Sequence, residues 1–316
     1  MEYRALGSTD YRVSAVGLAC RVGWPDDRGI VRVDPNEMIA AIQAGLDQGV
    51  NYVEIEPGPL AAECQEVVGK AVQGRGEGII LACPCGGPPA RFSSTDSQVL
   101  RADSVAAEIE AGLRRLRISR IDVALCHWSD VRAPLAEVMA ALLRLQERGD
   151  VGMIALSEFP VERIVEARRL GTVHVVRTPV NLLERDLCVD CIAYCCEYRL
   201  GLVAADPLCR GALSGPVIRE RDTEPPARSR DRTGPSPKER ETIRRLAAFA
   251  ELKGRTLGQL AIAWALAQRG VSDVVCPAAR PTQVREYIGA AGLALSAADI
   301  DEVEKTLSAS DNRSIR

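Results

Sequence analysis

Short apolar runs alternate with amphipathic segments along almost the whole chain, and that alternation restricts the fold more than any other feature. Val13–Leu18, Val50–Ile55, Ile79–Cys83, Ile121–Leu125, Val151–Leu156, Val173–Arg177, Leu202–Ala205 and Asp273–Cys276 have the length and aliphatic character of strands buried on both faces. The segments between them carry apolar residues at helical spacing. The first is Ile39, Ile42 and Leu46, preceded by Asp34-Pro35 with Glu37 in the capping-box position. Eight strand–helix units in 316 residues predict an α/β chain folded as one (β/α)8 TIM barrel over 1–316. An N-terminal β-hairpin, turning at Gly7-Ser8-Thr9-Asp10, precedes it. Cys20–Arg32 reads as a polar loop. Residues 219–237, with five arginines and four prolines and alanine as the only aliphatic residue, read as a flexible long loop within the barrel that cannot order itself by burial.

Bulk properties narrow the partners. The formal net charge of -3 argues against nucleic acid. No run of about 18 apolar residues exists to span a membrane, and the N-terminus has no basic-plus-apolar signal segment, so a cytoplasmic location is expected. Eleven cysteines over this length do not make a secreted disulfide scaffold. Cys188-x2-Cys191-x3-Cys195 has metal-like spacing, but Cys191 and Cys195 fall on an apolar helical pattern with Ile192. No metal is expected there.

In a barrel of this kind the chemistry sits at the carboxyl ends of the strands. The run Ile121–Asp130 ends in His127, Trp128 and Asp130, and His127 is one of only two histidines. Glu54, Glu158, Arg177 and Asp206 stand at other strand ends. Cys83 and Cys85 alternate along another, so at most one of them faces the barrel mouth.

At this point the residues carry a family resemblance. The opening YRALGSTDYRVSAVGL, Gly49-Val50-Asn51-Tyr52, Gly69-Lys70-Ala71, Leu113-Arg114-Arg115-Leu116 with Ile121-Asp122 and His127, Asn181-Leu182-Leu183-Glu184-Arg185, Pro207-Leu208 with Gly211, and Arg280-Pro281 with Gln283 together resemble the aldo/keto reductases over nearly the whole length. The resemblance implies a barrel that binds NADPH without a Rossmann domain and reduces carbonyls with an aspartate, tyrosine, lysine and histidine. Carried over by spacing, the aspartate falls on Glu54, the tyrosine on Pro59, the lysine on Pro84 and the histidine on His127. The serine that precedes the family's nicotinamide-holding asparagine falls on Ser157. That asparagine and a later glutamine fall on Glu158 and Arg177, and the stacking tyrosine on Ala205. Arg280 and Gln283 remain at the phosphate end.

A proline cannot protonate an alkoxide, and loss of the acid removes a factor of about 10²–10⁴ in rate. The leading expectation is therefore a repurposed barrel that runs non-redox acid/base chemistry (elimination, dehydration or isomerisation) on a small polar or carbonyl metabolite. Its catalytic groups would be Glu54 and His127, its pocket Trp128, Glu158, Arg177, Asp206, Cys83 and Cys85, and it would require no cofactor. Two alternatives stay open: a catalytically silent interaction or regulatory protein with a protein partner, and an atypical NADPH-dependent carbonyl reductase holding its cofactor through Arg280, Gln283 and Ser157.

Overall fold

A computed structural model of the chain describes residues 1–26, 29–58, 60–75, 78–86, 102–127, 134–214 and 235–311. Eight parallel strands close into a barrel: β3 (Val16–Cys20), β6 (Tyr52–Ile55), β7 (Ile80–Cys85), β8 (Ile121–His127), β9 (Val151–Ser157), β10 (Val175–Pro179), β11 (Gly201–Ala205) and β12 (Val271–Pro277). The barrel closes through β12 pairing with β3, in register at Val275 and Gly17. The expected (β/α)8 architecture is present. So is the hairpin, formed by β1 (Tyr3–Ala5) and β2 (Arg12–Ser14), which precedes the first barrel strand. One expectation is corrected: Cys20–Arg32 is not simply a loop, because β4 (Gly23–Asp26) and β5 (Gly29–Arg32) pair within it. Its polar, glycine-containing composition concealed backbone pairing on the barrel exterior.

Helices α1 (Pro35–Leu46), α2 (Ala61–Val72), α3 (Ala102–Leu116), α4 (Leu135–Glu147), α5 (Val161–Leu170), α6 (Val189–Tyr198), α7 (Pro237–Leu252), α8 (Leu257–Ala267), α9 (Pro281–Ile288) and α10 (Ala297–Asp311) accompany the barrel. Asp34 starts α1 by accepting from the amides of Asn36 and Glu37. Ser296 and Asp299 exchange hydrogen bonds at the head of α10. Such caps satisfy amides that have no partner within the helix.

Strand alternation divides the core into two layers. Outward residues such as Val53, Cys83, Cys126 and Ile154 pack against the helices. Inward residues are smaller: Ala19, Ala82, Ala155, Val175, Val203, Ala205 and Val275 line the bore with Tyr52, Val123, Leu125 and Met153. The hairpin closes the amino-terminal end. Leu6 enters the inner layer, and the Arg4 guanidinium donates to the carbonyls of Leu266 at 2.8 Å and Val271 at 3.1 Å. Gly7, at φ +62, lies so close to Gly201 that a Cβ would meet its amide nitrogen at 2.2 Å. Only glycine fits there. Among the described residues no helix is long and apolar enough to cross a membrane. The proposed 219–237 loop lies outside the described residues up to 234. Its last residues begin α7, where Ser236 forms a capping box with Glu239.

Candidate active site at the carboxyl end of the barrel

In the closed strand order β6 and β10 stand on opposite sides of the bore. Glu54 of β6 and Arg177 of β10 meet across it: Arg177 Nε donates to Glu54 Oε1 at 2.8 Å, with side-chain exposures of 0% for Glu54 and 5% for Arg177. The flanking residues make this possible. Ala19 and Ala82 are the register partners of Glu54 on the two neighbouring strands, and their short side chains leave the bore open for two long ones. The pair forms a floor beneath the barrel mouth.

Above that floor Arg177 gathers further acceptors. Its Nη1 donates to Glu158 Oε1 at 3.2 Å and Ser157 Oγ at 3.4 Å, and Nη2 lies 3.6 Å from Glu56 Oε1. His127, 2% exposed at the end of β8, places Nδ1 3.1 Å from Ser157 Oγ and Nε2 4.0 Å from Glu158 Oε2. Glu158 reaches both groups because its backbone turns sharply after β9, at φ +58. A non-glycine residue held in that region is strained, as is frequent at functional sites. His174, the other histidine, is structural: its Nδ1 accepts from the Ile154 amide at 3.1 Å before β10 begins.

Burial and charge oppose one another at the floor. Burial raises the Glu54 pKa, Arg177 lowers it and Glu56 raises it again; the balance stands at about 7. Burial also works against the Arg177 charge, but the surrounding carboxylates more than offset it and hold the guanidinium protonated. Asp206, at the end of β11 with φ +48, is pushed up to about 6 by burial. It accepts the Arg210 amide at 2.7 Å, and Arg210 is paired in turn with Glu184.

Glu54, His127, Ser157, Glu158 and Arg177 are thus brought together, while Asp206 borders the same end in a cluster with Arg210. Cys83 and Cys85 are not in the pocket. Both pack in the outer, helix-facing layer: two residues apart, they share one face of the strand rather than alternating as expected, and the inward place goes to Ala82. Burial pushes the Cys83 thiol above its usual range, which removes nucleophilic character. Trp128 and Pro59 lie outside the described residues. Sequence reasoning missed Glu56, two residues beyond Glu54, although the alternation that turns Glu54 inward also favours its proximity to Arg177. No group of three metal-ligating side chains occurs among the described residues.

The residues expected at the phosphate end, Arg280 and Gln283, stand together at the head of α9. Gln283, in the first turn of α9, has a buried Oε1 with no hydrogen-bond partner among the described residues. Arg280, the N-cap residue of α9, leaves 67% of its side chain exposed while meeting Glu37 at 3.2 Å. A guanidinium at a helix N-terminus suits an anionic group, and the orphaned Gln283 acceptor suits a hydroxyl or amino donor beside it.

Comparison with known proteins points the same way. The model of the aldo/keto reductase family matches residues 22–308. An aldo-keto reductase of Bacillus subtilis is 26% identical over 97% of this chain and 94% of its own. The NADH-specific methylglyoxal reductase of Escherichia coli is 27% identical over 93% and 94%. The structure of a glycerol dehydrogenase from Gluconobacter oxydans superposes with a TM-score of 0.82 at 25% identity, covering 97% of this chain and 95% of that one. These relatives overturn two expectations, namely non-redox acid/base chemistry as the main activity and a site requiring no cofactor. Their names are those of reductases and a dehydrogenase, and one carries its nicotinamide cofactor in its name. The error came from taking the prolines on which spacing places the family tyrosine and lysine as the end of the redox reaction, although a proton donor is only one part of that reaction.

Proposed function

The chain belongs to the aldo/keto reductase family, and on that premise we propose that it is a nicotinamide-dependent oxidoreductase interconverting a small polar carbonyl compound and its alcohol. His127 gives and takes the proton. One observation carries the reading: a buried histidine at the mouth has one ring nitrogen against Ser157 and the other facing Glu158. The family resemblance places the usual tyrosine and lysine on Pro59 and Pro84, which leaves His127 as the group suited to the transfer.

When bound, the cofactor supplies or accepts hydride at the carbon of the substrate. Arg280 would hold a phosphate of its adenosine end, Gln283 would accept from a hydroxyl or amino group beside it, and Ser157 would lie at its carboxamide. The chain's residues then do the rest. In the reducing direction His127 Nε2 donates its proton to the carbonyl oxygen, and in the oxidising direction it accepts the proton of the alcohol. The Glu158 carboxylate faces that nitrogen at 4.0 Å. Ser157 Oγ fixes the ring orientation. Arg177, anchored by Glu54, places a fixed positive charge where the substrate oxygen becomes negative. Two relatives are named for methylglyoxal and glycerol, and small oxygenated compounds of that kind are the substrate class proposed here.

Calorimetric titration of the purified chain with NADH and NADPH, followed by turnover assays on small aldehydes and polyols, tests this reading. Stoichiometric binding that weakens in Arg280→Ala is expected. His127→Asn should keep that binding and lose about 10²–10⁴-fold in kcat. Failure of the chain to bind either dinucleotide would sink the proposal.

A further inference from the structure

Arg177 leaves one edge of its guanidinium unused. Nε donates to Glu54, and Nη1 donates to Glu158 and Ser157. Nη2 carries two further hydrogens and makes no hydrogen bond among the described residues. It faces Glu56 Oε1 at 3.6 Å, which is beyond the roughly 2.7–3.2 Å of an N–H···O bond. Glu56 is in the matching position. Its Oε2 is paired with Arg21 Nε at 2.7 Å, whereas Oε1 turns to Arg177 and has no hydrogen bond among the described residues. A donor and an acceptor thus stand opposite one another, too far apart to satisfy each other.

Both sides of this gap are held in place. Arg177 is fixed by its bonds to Glu54, Glu158 and Ser157. The Glu56 amide donates to the Cys20 carbonyl at 3.0 Å, which continues the pairing of β6 with β3 one residue past the strand, and its carboxylate is tied to Arg21. The gap also reaches the surface of the site. Arg177 keeps 5% of its side chain exposed and Glu56 21%, and Glu56 borders a cleft with Arg21, Gly23, Pro57, Leu60 and Ala61.

Hydrogen-bond chemistry selects what fills such a gap. The group must accept from Nη2 and donate to Oε1 at once. A carbonyl or carboxylate oxygen has no hydrogen for Glu56 and sets lone pairs against lone pairs. An ammonium has no acceptor for Arg177, and a methyl group serves neither. A hydroxyl does both, and one oxygen placed about 2.8–3.0 Å from each atom spans the gap. Each of the two bonds has an ionised partner, which makes it stronger than a neutral one.

We propose that Arg177 Nη2 and Glu56 Oε1 form a hydroxyl-recognition subsite, and that the substrate carries a hydroxyl on the carbon next to the one that reacts. The same guanidinium links the two places. Nη1 is bonded to Glu158, whose other oxygen faces His127 Nε2, and Nη2 serves the β6 side. The substrate class is then an α-hydroxy aldehyde or ketone in the reducing direction and a vicinal diol in the oxidising one. Glu56 sets specificity and touches no reacting atom. The substrate class rests on the oxidoreductase reading, whereas the affinity of the subsite for a diol does not.

Two aldehydes that differ by one hydroxyl test the proposal. In wild type, kcat/KM for 2-hydroxypropanal should exceed that for propanal by about 10–100-fold. The ratio should shrink to within about threefold in Glu56→Met, which removes both carboxylate oxygens, and take an intermediate value in Glu56→Gln. The glutamine variant keeps the shape of the side chain and so remains informative if the methionine variant folds poorly. A ratio that is equal in wild type and both variants would overturn the role of Glu56. No preference in wild type would mean that the gap holds solvent only. A second readout needs no turnover. Ligand-observed NMR of the full chain should detect propane-1,2-diol but not propan-1-ol, and Glu56→Met should lose the diol signal. Equal behaviour of the two alcohols would overturn the subsite. If neither aldehyde is reduced with NADH or NADPH, the oxidoreductase reading falls and the NMR comparison decides the subsite alone.

Discussion

Replacing Glu54 by glutamine isolates the cost of holding a charge inside the barrel. Glutamine keeps the length of the side chain and its carbonyl can still accept from Arg177 Nε, so packing is nearly conserved while ionisation is removed. In the folded chain burial, opposed by Arg177, raises the Glu54 pKa from 4.5 to about 7. At 1.36 kcal/mol per pKa unit that difference is worth about 3 kcal/mol. The sign follows from linkage. A carboxyl with a raised folded pKa contributes stability that is fully present below its unfolded pKa and is lost as pH rises through the folded value. The wild-type chain should therefore lose about 2–3 kcal/mol relative to Glu54→Gln between about pH 5 and pH 8. Asp273 is present in both chains, so its titration largely cancels in the difference. Urea unfolding of both proteins across that range measures it, with the midpoint and slope fitted at each pH. A difference constant with pH would refute the reasoning. A wild type that gains on the variant with rising pH would mean that Arg177, not burial, controls Glu54.

Further outcomes follow from the same geometry. Gly17→Ala should destabilise by about 1–3 kcal/mol through overpacking against the Asp273 carboxyl; chemical denaturation of Gly17→Ala, Asp273→Ala and the double variant should show that the second change relieves the first. Gln283→Ala should weaken dinucleotide binding in calorimetry while leaving thermal stability close to wild type, because its Oε1 has no partner to lose. Arg177→Met should cost about 3–5 kcal/mol, since it strands Glu54 in the bore, and raising the pH should enlarge that cost. Ser296→Ala, which removes the acceptor of the Asp299 amide, should cost about 0.5–2 kcal/mol in a thermal melt.

The fold was legible because the signal is periodic and repeated. Val151–Leu156 and Ile121–Leu125 admit one reading once amphipathic segments flank them, and Asp34 and Ser296 mark helix starts by local hydrogen bonding that needs no tertiary partner. The β4–β5 pair was not legible, because its stability depends on cross-strand contacts that a polar, glycine-containing run does not advertise. Strand ends gave Glu54, His127, Glu158 and Arg177 as neighbours in space, but not that Glu54 and Arg177 touch across the bore. Cys83 and Cys85 failed for a related reason. Which of two alternating positions faces inward is set by strand register, and the inward place went to Ala82. The chemistry was misjudged by a different route. A proline at the place where spacing puts the family acid was read as absence of the reaction, and relatives named as reductases and a dehydrogenase corrected it.

By itself the sequence determined what is local and repetitive: the order of strands and helices, their caps, the small inner side chains and the resemblance that follows from them. Tertiary structure decided everything that depends on barrel closure. Closure sets β6 opposite β10 and so joins Glu54 to Arg177. It also lays Asp273 over Gly17 and removes water from carboxyl groups that would ionise freely in an open chain. The effect of a charge depends on its solvent and its neighbours, and both are fixed only when residues more than a hundred positions apart are brought within hydrogen-bonding distance.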